Sequence, residues 1–306
     1  MSDPCRVRFT VLELPARWAA PDAALADVDA ALAGDAALAG DAALAGDAAR
    51  VDAARVDAAR VDAARVDAAR IDAARVDAAR VDAACADAAR VDVATGAPRE
   101  NDVHLVLLPE ASLHGYVSPD GDADLAPFAE PIDGPTARAC AALAVTHGVH
   151  LVAPLVLREG RALYNAMVCF DPRGERVFVY RKRHPWIPET WATPGPQPLP
   201  VVEIGGARIT IAVCYDVHFL PSESARELDA ADVLLFPSAW VEEPDYRVAR
   251  LQRLAQRFDL TIVNANWAPG DVRVPGQGGS CVVDPAGRVV AHAVAGRVDH
   301  EWCPPR

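Results

Sequence analysis

Lysine is almost absent from this sequence of 306 residues. The 30 basic side chains are 29 arginines and one lysine, Lys182, and they face 43 acidic side chains, so the formal net charge is −13. Nucleic acids are bound through patches or stripes of basic side chains, and the sequence contains none. The acidic excess therefore argues against a nucleic-acid partner, and the solitary ammonium group becomes a position of interest.

Long apolar runs, paired cysteines and phosphate-binding loops are also missing. The longest apolar stretches, such as residues 103–108 and 209–213, are far shorter than the roughly 20 residues of a membrane-spanning helix. Residues 1–10 lack the apolar centre of a signal peptide. Seven cysteines without a CxxC pair match neither a disulfide framework nor a zinc site, and no glycine-rich loop follows a predicted strand. These absences predict a soluble, cytoplasmic protein without a membrane segment, a metal site or a bound nucleotide.

A low-complexity segment of alanine, aspartate, arginine and valine occupies residues 23–90. Residues 51–90 are eight five-residue units, of which five read VDAAR. Five residues advance about 500° around an α-helix, so successive valines step by about 140° and never form a seam that could pack. The composition favours helix, yet one helix from near Asp22 to near Ala94 would be about 110 Å long. We expect a helical or disordered insertion after the first strand of one domain that spans residues 1–306, with an interaction arm as the alternative.

Outside this segment, strand-like and helix-like runs alternate. Predicted strands lie at residues 6–14, 103–108, 149–157, 162–171, 176–181, 207–213, 231–236, 261–265, 279–284 and 289–293. Predicted helices lie at residues 135–147, 222–229 and 244–258. Alternation of this kind predicts a single α/β domain in which helices cover one mixed sheet or two sheets.

Three predicted strands end in reactive side chains. The run VHLVLLPE ends in Glu110, FVYRK ends in Lys182 and ITIAVC ends in Cys214. Reactive groups of α/β folds collect at the carboxyl ends of strands, and a carboxylate, an ammonium and a thiol are the components of a thiol acyl-transfer site. In such a site the thiolate attacks a carbonyl or nitrile carbon, the carboxylate relays protons and the cation stabilises the oxyanion.

Each of these residues also has a purely structural interpretation. Glu110 could be a solvated strand end, Cys214 a small buried hydrophobic residue, and Lys182 a surface charge. A compact ammonium in a chain that otherwise uses arginine favours a site that a planar guanidinium cannot replace. The combination of the three groups therefore carries more weight than any one of them.

Three segments in the same order carry a family resemblance. PEASLHGY at 109–116, YRKRH at 180–184 and CYDVHF at 214–219 resemble the signature segments of the nitrilase superfamily of carbon–nitrogen hydrolases. The resemblance extends to FPSAW at 236–240, NAN at 264–266 and GGSCVVDPAGRVV at 278–290. It implies a four-layer-forming α-β-β-α sandwich, commonly dimerised, and a Glu-Lys-Cys triad without a metal or an organic cofactor.

The resemblance also implies roles for individual residues. Glu110 matches the general base and acid, Lys182 the stabiliser of the oxyanion, and Cys214 the nucleophile. The backbone N–H of Tyr215 would complete the oxyanion hole. Glu189 is the candidate for a second glutamate that many members place shortly after the lysine, and the alternative is an ordinary loop carboxylate.

The residues after the nucleophile bear on the substrate. True nitrilases usually carry Trp-Glu there, whereas this chain has Tyr215 and Asp216, as amidase-like and carbamoyl-hydrolysing members do. The resemblance therefore favours a small-molecule amide or N-carbamoyl substrate over a nitrile. Candidate substrate-binding residues, for which core packing or a supporting hydrogen bond is the alternative, are Tyr116, Trp186, Trp191, His218 and Trp240.

Two positions depart from the family pattern. Glu13 lies near the end of the first strand, where a glutamine is usual, and residues 218–223 read HFLPSE where Arg-Phe-Pro-Glu is typical. Both departures leave the triad intact, and the second changes the wall of the pocket.

Two other classes of protein stay open at the level of sequence. A catalytically silent binding protein would keep the sandwich and use the repeat to recruit a partner. A Cys-His thiol enzyme would use His184 or His218 as its base. Covalent labelling of Cys214 by an electrophile would argue against the silent binding protein. A pH–rate profile that follows the titration of an imidazole would support the Cys-His enzyme.

Overall fold

Most of the chain outside the low-complexity segment is described by a computed structural model, which covers residues 6–15, 17–33, 103–241, 245–269, 274 and 276–304. Within these ranges, helices α1 to α5 span Pro21–Leu32, Pro135–His147, Leu220–Glu223, Ala225–Asp229 and Arg247–Phe258. Two short 3-10 turns lie at Ala126–Phe128 and Cys214–His218. The part of the predicted insertion from residue 34 onwards lies outside the described residues.

Twelve strands among the described residues form two six-stranded mixed sheets. The first sheet has the order β12-β1-β2-β3-β4-β5, whose strands span Arg297–Trp302, Val7–Leu12, Val103–Leu107, His150–Glu159, Ala162–Phe170 and Arg176–Arg181. The second has the order β11-β10-β9-β8-β7-β6, spanning Val289–His292, Cys281–Val283, Thr261–Ala265, Val233–Pro237, Ala207–Ile211 and Val201–Ile204. In each sheet three neighbouring strands are parallel, β1-β2-β3 and β7-β8-β9, and the other pairs are antiparallel.

The two sheets pack face to face, because alternate residues of their strands are apolar and buried. Phe9, Leu107 and Met167 of the first sheet share one core with Ile211 and Leu235 of the second. Helices α1 and α2 cover the other face of the first sheet, and α5 covers the other face of the second. These layers confirm the predicted α-β-β-α sandwich, and they settle the choice between one sheet and two.

Helix α5 shows how the spacing of residues directs a helix onto a sheet. Its buried residues Leu251, Leu254, Ala255 and Phe258 recur at intervals of three and four, so they form one apolar face. The helix ends at Asp259, whose left-handed backbone (φ 53°) turns the chain towards β9. The end of the helix thus agrees with the prediction from the sequence.

Helix α1 includes the first residues of the interval assigned to the insertion. Leu25 and Val28, three residues apart, are buried in a cluster that also contains Leu12 of β1. Asp29 accepts a contact from His147 at the end of α2, with 2.7 Å between the two atoms. Residues 23–32 therefore belong to the helical layer of the sandwich, and the insertion after them stays a prediction.

Two strands and one helix differ from the elements expected from the sequence. The prediction omits β6, a four-residue strand that is mostly exposed, and β12, whose sequence RVDHEW has few apolar residues. The helix predicted at residues 222–229 is divided into α3 and α4 at Ser224, whose backbone is not helical (φ −132°, ψ 21°). The Ser224 hydroxyl accepts a hydrogen bond from Arg183 at 3.1 Å, so a tertiary contact accompanies the break.

Candidate active site

The three reactive side chains singled out by the sequence lie together at one end of the sandwich. Glu110 follows β2, Lys182 follows β5 and Cys214 follows β7. Two antiparallel pairings separate β5 from β3, so β5 runs in the same direction as β2, and both strands end at the same edge of the first sheet. The topology therefore explains why residues 72 positions apart in the chain meet there.

Lys182 is buried between two carboxylates. Its Nζ donates hydrogen bonds to Glu110 Oε1 at 2.7 Å and to Glu189 Oε1 at 2.5 Å, and none of the three side chains is more than 1% exposed. Burial disfavours the charged ammonium, but Glu110 and Glu189 act in the opposite direction, and the pKa of Lys182 is raised above its ordinary value. The charged form of Lys182 is therefore favoured at neutral pH.

The structure places Glu189 inside this cluster. Its Oε1 accepts hydrogen bonds from Lys182 and from the Tyr116 hydroxyl, and its Oε2 accepts one from Asn165 Nδ2 at 3.3 Å. Burial raises the pKa of Glu189 and Lys182 opposes the rise, with a net upward direction. Burial also raises the pKa of Tyr116, which keeps its hydroxyl protonated as a donor. Glu189 is thus a buried partner of the lysine and not a solvated loop carboxylate.

Three residues that the sequence analysis does not identify hold Glu110. Asn165 Nδ2 donates to Glu110 Oε1 at 2.8 Å, and the backbone N–H of Ala239 donates to Oε2 at 3.0 Å. The indole N–H of Trp267 donates to the carbonyl oxygen of Glu110 at 2.6 Å. Glu110 Oε1 accepts two hydrogen bonds, from Asn165 and from Lys182, whereas Oε2 accepts one, from Ala239. Oε2 therefore has more lone-pair capacity left for a further hydrogen bond.

A sequence signal for Asn165 does exist. It is a polar residue within the otherwise apolar strand β4, and a buried polar residue requires partners. Ala239 lies in the FPSAW segment and Trp267 follows the NAN segment, both of which belong to the resemblance described above. The identity of their partners, however, depends on the pairing of the two sheets.

Cys214 begins the 3-10 turn with a left-handed backbone, φ +44°. A residue with a side chain adopts this conformation at a cost of about 1–3 kcal/mol. Burial raises the pKa of the Cys214 thiol well above its ordinary value and Glu110 raises it further, while Lys182 and the N–H of Ala239 act in the opposite direction. The Ala239 N–H donates to Glu110 Oε2, and the raised pKa of the thiol favours its neutral form, which needs a base before it can attack.

A small cavity adjoins the thiol. It has a volume of about 30 Å³, and its described walls are Trp186, Cys214, Tyr215, His218, Ala239, Trp240 and Val241. Three of the predicted substrate-binding residues, Trp186, His218 and Trp240, therefore line it. Tyr116 and Trp191 lie instead in the aromatic cluster beside the cavity, where the Tyr116 ring packs against Trp267 at 5.4 Å between centroids.

The two histidines near Cys214 have different surroundings. His218 stacks on Trp240 with ring centroids 6.1 Å apart, and burial lowers its pKa to about 4, so the ring is neutral at pH 7. His184 is bound through Nδ1 to Asp216 Oδ1 at 2.9 Å. Within the described part of the chain, neither imidazole hydrogen-bonds to the thiol of Cys214.

The carboxylates of Glu110 and Glu189 both pair with the ammonium group of Lys182. The described ranges contain no group of three His, Cys, Asp or Glu side chains that could hold a metal ion. In the same ranges, every helix is too short or too polar to cross a bilayer.

Comparisons with known sequences point to one family. A family described as carbon-nitrogen hydrolase matches residues 73–297. An (R)-stereoselective amidase from Pseudomonas sp. is 30% identical over 203 residues, which cover 65% of this chain and 72% of that protein. A formamidase from Bradyrhizobium diazoefficiens is 32% identical over 213 residues, which cover 67% of this chain and 61% of that protein.

Solved structures of an amidase from Nesterenkonia sp. share the fold. One is 22% identical with a TM-score of 0.66, and the alignment covers 98% of this chain and 92% of that one. A variant of that amidase carries the acetamide moiety of fluoroacetamide covalently on its active-site cysteine; it is 22% identical with a TM-score of 0.66, covering 97% and 90%. At this level of identity the likeness concerns the arrangement of helices and strands.

Proposed function

The chain belongs to the carbon–nitrogen hydrolase family, and we propose that it hydrolyses a small amide through a thioester on Cys214. The observation that carries the proposal is the buried contact between Lys182 and Glu110, beside the thiol of Cys214, which follows β7. A base, a cation and a nucleophile in one cluster meet the requirements of thiol acyl transfer. The amidase and formamidase relatives support an amide as the substrate.

In the first half of the proposed reaction, Glu110 acts as a base and then as an acid. Its carboxylate accepts the Cys214 proton, the sulfur forms a bond to the carbonyl carbon, and the carbonyl π electrons move to oxygen. When the tetrahedral intermediate collapses, the C–N bond breaks and Glu110 gives its proton to the leaving nitrogen. Ammonia or an amine departs and a thioester remains on Cys214.

In the second half, water takes the place of the thiol. Glu110 accepts a proton from the water, the hydroxide attacks the thioester carbon, and the C–S bond breaks as the intermediate collapses. The thiolate recovers the proton from Glu110, and the carboxylic acid product leaves. The raised pKa of the thiol supports this exchange, because a neutral thiol must transfer its proton before it attacks.

The oxyanion is stabilised in this proposal by Lys182 and the backbone N–H of Tyr215. Lys182 is held between Glu110 and Glu189, so its ammonium is already desolvated and oriented before the charge develops on the substrate. Tyr215 follows Cys214 in the 3-10 turn, and in this proposal its N–H donates to the oxyanion that forms when the sulfur attacks. Glu189 and Tyr116 keep the lysine in place, and Glu189 can also orient the hydrolytic water.

The walls of the cavity support a short, uncharged substrate. Its volume is about 30 Å³, which favours a short substrate over an extended one. The lining among the described residues is aromatic and aliphatic apart from Cys214 and His218, and His218 is neutral at pH 7 because burial lowers its pKa to about 4. No cationic side chain of that lining would bind the carboxylate of a carbamoyl amino acid.

The test is the release of ammonia from a panel of amides, N-carbamoyl amino acids and nitriles. We expect the highest kcat/KM for formamide, acetamide or propionamide, and a Cys214→Ala variant without measurable turnover. Cys303→Ala is the matched control, since this exposed cysteine is outside the site and its loss should leave the rates unchanged. Undiminished amide hydrolysis by Cys214→Ala would contradict the mechanism, and a preference for N-carbamoyl amino acids would contradict the substrate class.

Three finer expectations from the sequence are tested separately. The N-carbamoyl substrate, which is the alternative to a short amide, is tested by the panel above. Association into a homodimer is tested by sedimentation of the purified protein over a range of concentrations. A cytoplasmic location is tested by fractionation of cells that express the full-length chain.

A further inference from the structure

The buried carboxylate of Asp216 contacts both flanks of Lys182. Tyr180 lies two residues before Lys182 and His184 lies two residues after it, while Asp216 lies two residues after Cys214. The Tyr180 hydroxyl donates to Asp216 Oδ2 at 2.7 Å. The backbone N–H of His184 and its Nδ1 contact Asp216 Oδ1, each at 2.9 Å.

The same carboxylate also holds the turn that presents the nucleophile. The backbone N–H of Val213 donates to Asp216 Oδ2 at 3.0 Å, and Val213 directly precedes Cys214 with its left-handed backbone. Each oxygen of Asp216 therefore receives two hydrogen bonds, and the residue is 1% exposed. A fully satisfied buried carboxylate of this kind is rigid, because the loss of any donor would leave part of its charge uncompensated.

The donors are themselves restrained. The His184 ring stacks on Phe219 with centroids 3.9 Å apart and an angle of 12° between the ring planes. Its Nε2 contacts Glu223 Oε2 at 3.2 Å. Other contacts between the two segments, such as that of Arg183 with Glu223, involve side chains that are 24% and 37% exposed. Asp216 is thus the buried junction between the strand end that carries Lys182 and the turn that carries Cys214.

We propose that Asp216 is a positioning residue that sets the separation of the Lys182 ammonium from the Cys214 sulfur through Tyr180 and His184. Its side chain does not line the cavity, so its effect passes through these two flanking donors and through Val213. The inference rests on the proposed function for its kinetic consequence, since a cation and a nucleophile at the wrong separation stabilise the oxyanion less.

The central variant is Asp216→Asn. The amide keeps the size of the side chain but replaces one acceptor oxygen with an NH₂ group that cannot accept from Tyr180 and Val213. We expect kcat to fall by about 10–100-fold and KM to change by less than about threefold, because misplacement by about 1 Å has effects of this size. The alkylation rate of Cys214 with iodoacetamide should fall too, and this readout requires no amidase activity.

Two variants of His184 separate positioning from simple packing. His184→Ala removes the Nδ1 contact and should lower kcat, whereas His184→Asn can place an amide nitrogen near the position of Nδ1 and should restore much of the loss. In the Asp216→Asn background, His184→Ala should have little further effect, because the partner is already altered.

Asp299→Asn is the matched control, since Asp299 accepts the Thr10 hydroxyl at 2.6 Å on the outer face of the first sheet. This variant should lower the Tm and leave kcat and the alkylation rate unchanged.

The outcomes are distinct. Two results would overturn the proposal. One is a wild-type kcat and a wild-type alkylation rate in Asp216→Asn. The other is a loss of kcat from His184→Ala that is the same in the wild-type protein as in the Asp216→Asn variant. If Asp216→Asn does not fold, as judged by its thermal transition, Tyr180→Phe and His184→Ala decide the question, and wild-type alkylation rates in both would overturn it. Absence of amide hydrolysis by the wild-type protein would refute the proposed function alone, because the alkylation rates would still test the role of Asp216.

Discussion

At the residue scale, the proposed mechanism requires one ammonium group between two carboxylates. The Lys182 Nζ lies 2.7 Å from Glu110 and 2.5 Å from Glu189 in a site closed to solvent. These contacts explain why the solitary lysine of the chain is at this position. A guanidinium is planar and larger, so it cannot occupy a space that fits an ammonium and keep both contacts.

Lys182→Arg should therefore be severely impaired although it conserves the charge. We expect kcat/KM to fall by at least about 100-fold, the size of effect seen when one donor to an oxyanion is lost. Arg181→Lys is the matched control, because Arg181 pairs with the partly exposed Glu159 and should tolerate the exchange. Wild-type rates of amide hydrolysis in Lys182→Arg would refute the special status of this lysine.

The sequence identifies residues whose chemistry is unusual for their position. Glu110, Lys182 and Cys214 could be predicted because each carries a reactive group at the end of an apolar strand. Asn165 could not be paired with Glu110 in advance, because the contact depends on how β4 packs beside the end of β2. Ala239 contributes only its backbone N–H, which no pattern of side chains records.

At the scale of the elements, the strength of the apolar pattern decides which helices and strands can be predicted. Helix α2 and strands β5 and β9 have the predicted bounds. Helix α2 lies between Gly134 and Gly148, β5 lies between Glu175 and Lys182, and β9 begins shortly after the helix end at Asp259. Strands β6 and β12 are short or polar and depend on pairing with β7 and β1. The break between α3 and α4 at Ser224 coincides with a contact to Arg183, which lies 41 residues away in the chain.

Helix α5 offers a test of the layer that covers the second sheet. Leu251 is fully buried against this sheet, so Leu251→Ala should lower the free energy of unfolding by about 2–5 kcal/mol. Arg253→Ala, on the exposed side of the same helix, should change it by less than about 0.5 kcal/mol. Denaturant unfolding measures both values, and equal stability of the two variants would contradict the assignment of the buried face.

At the scale of the whole molecule, a half-buried histidine predicts how stability depends on pH. Partial burial lowers the pKa of His104 to about 4 from an ordinary value of 6.5. Between these values the unfolded chain binds protons that the folded chain does not, so stability falls as the pH decreases from 6.5 to 4. Asp299 acts later: burial opposes its charge, but hydrogen bonds from Arg297 and Thr10 lower its pKa to about 2 from 3.8, so its contribution is lost only below pH 3.8.

The expected result is a Tm that declines from pH 7 to pH 4 before the carboxylates titrate. His104→Gln should flatten this decline, because the variant has no imidazole to protonate in the unfolded state, and calorimetry at a series of pH values measures the slope. An unchanged slope in His104→Gln would show that His104 does not contribute to the pH dependence.

The low-complexity segment can be tested for a role in folding and activity. All the described residues of the proposed site lie between residues 110 and 267, and helix α1 ends at Leu32. Deletion of residues 35–90 leaves α1 and residues 91–102 in place, so we expect the variant to fold and to keep kcat/KM within about threefold. Loss of activity in a folded deletion variant would instead support a functional arm.

The central claim is that the substrate becomes attached to Cys214. Rapid-quench mass spectrometry of the intact protein mixed with a short amide tests it most directly, followed by digestion to locate the adduct. The account predicts a mass increase equal to one acyl group on the peptide that contains Cys214, absent in Cys214→Ala and present in Cys303→Ala. An acyl group on another residue, or amide hydrolysis by Cys214→Ala without any adduct, would contradict it.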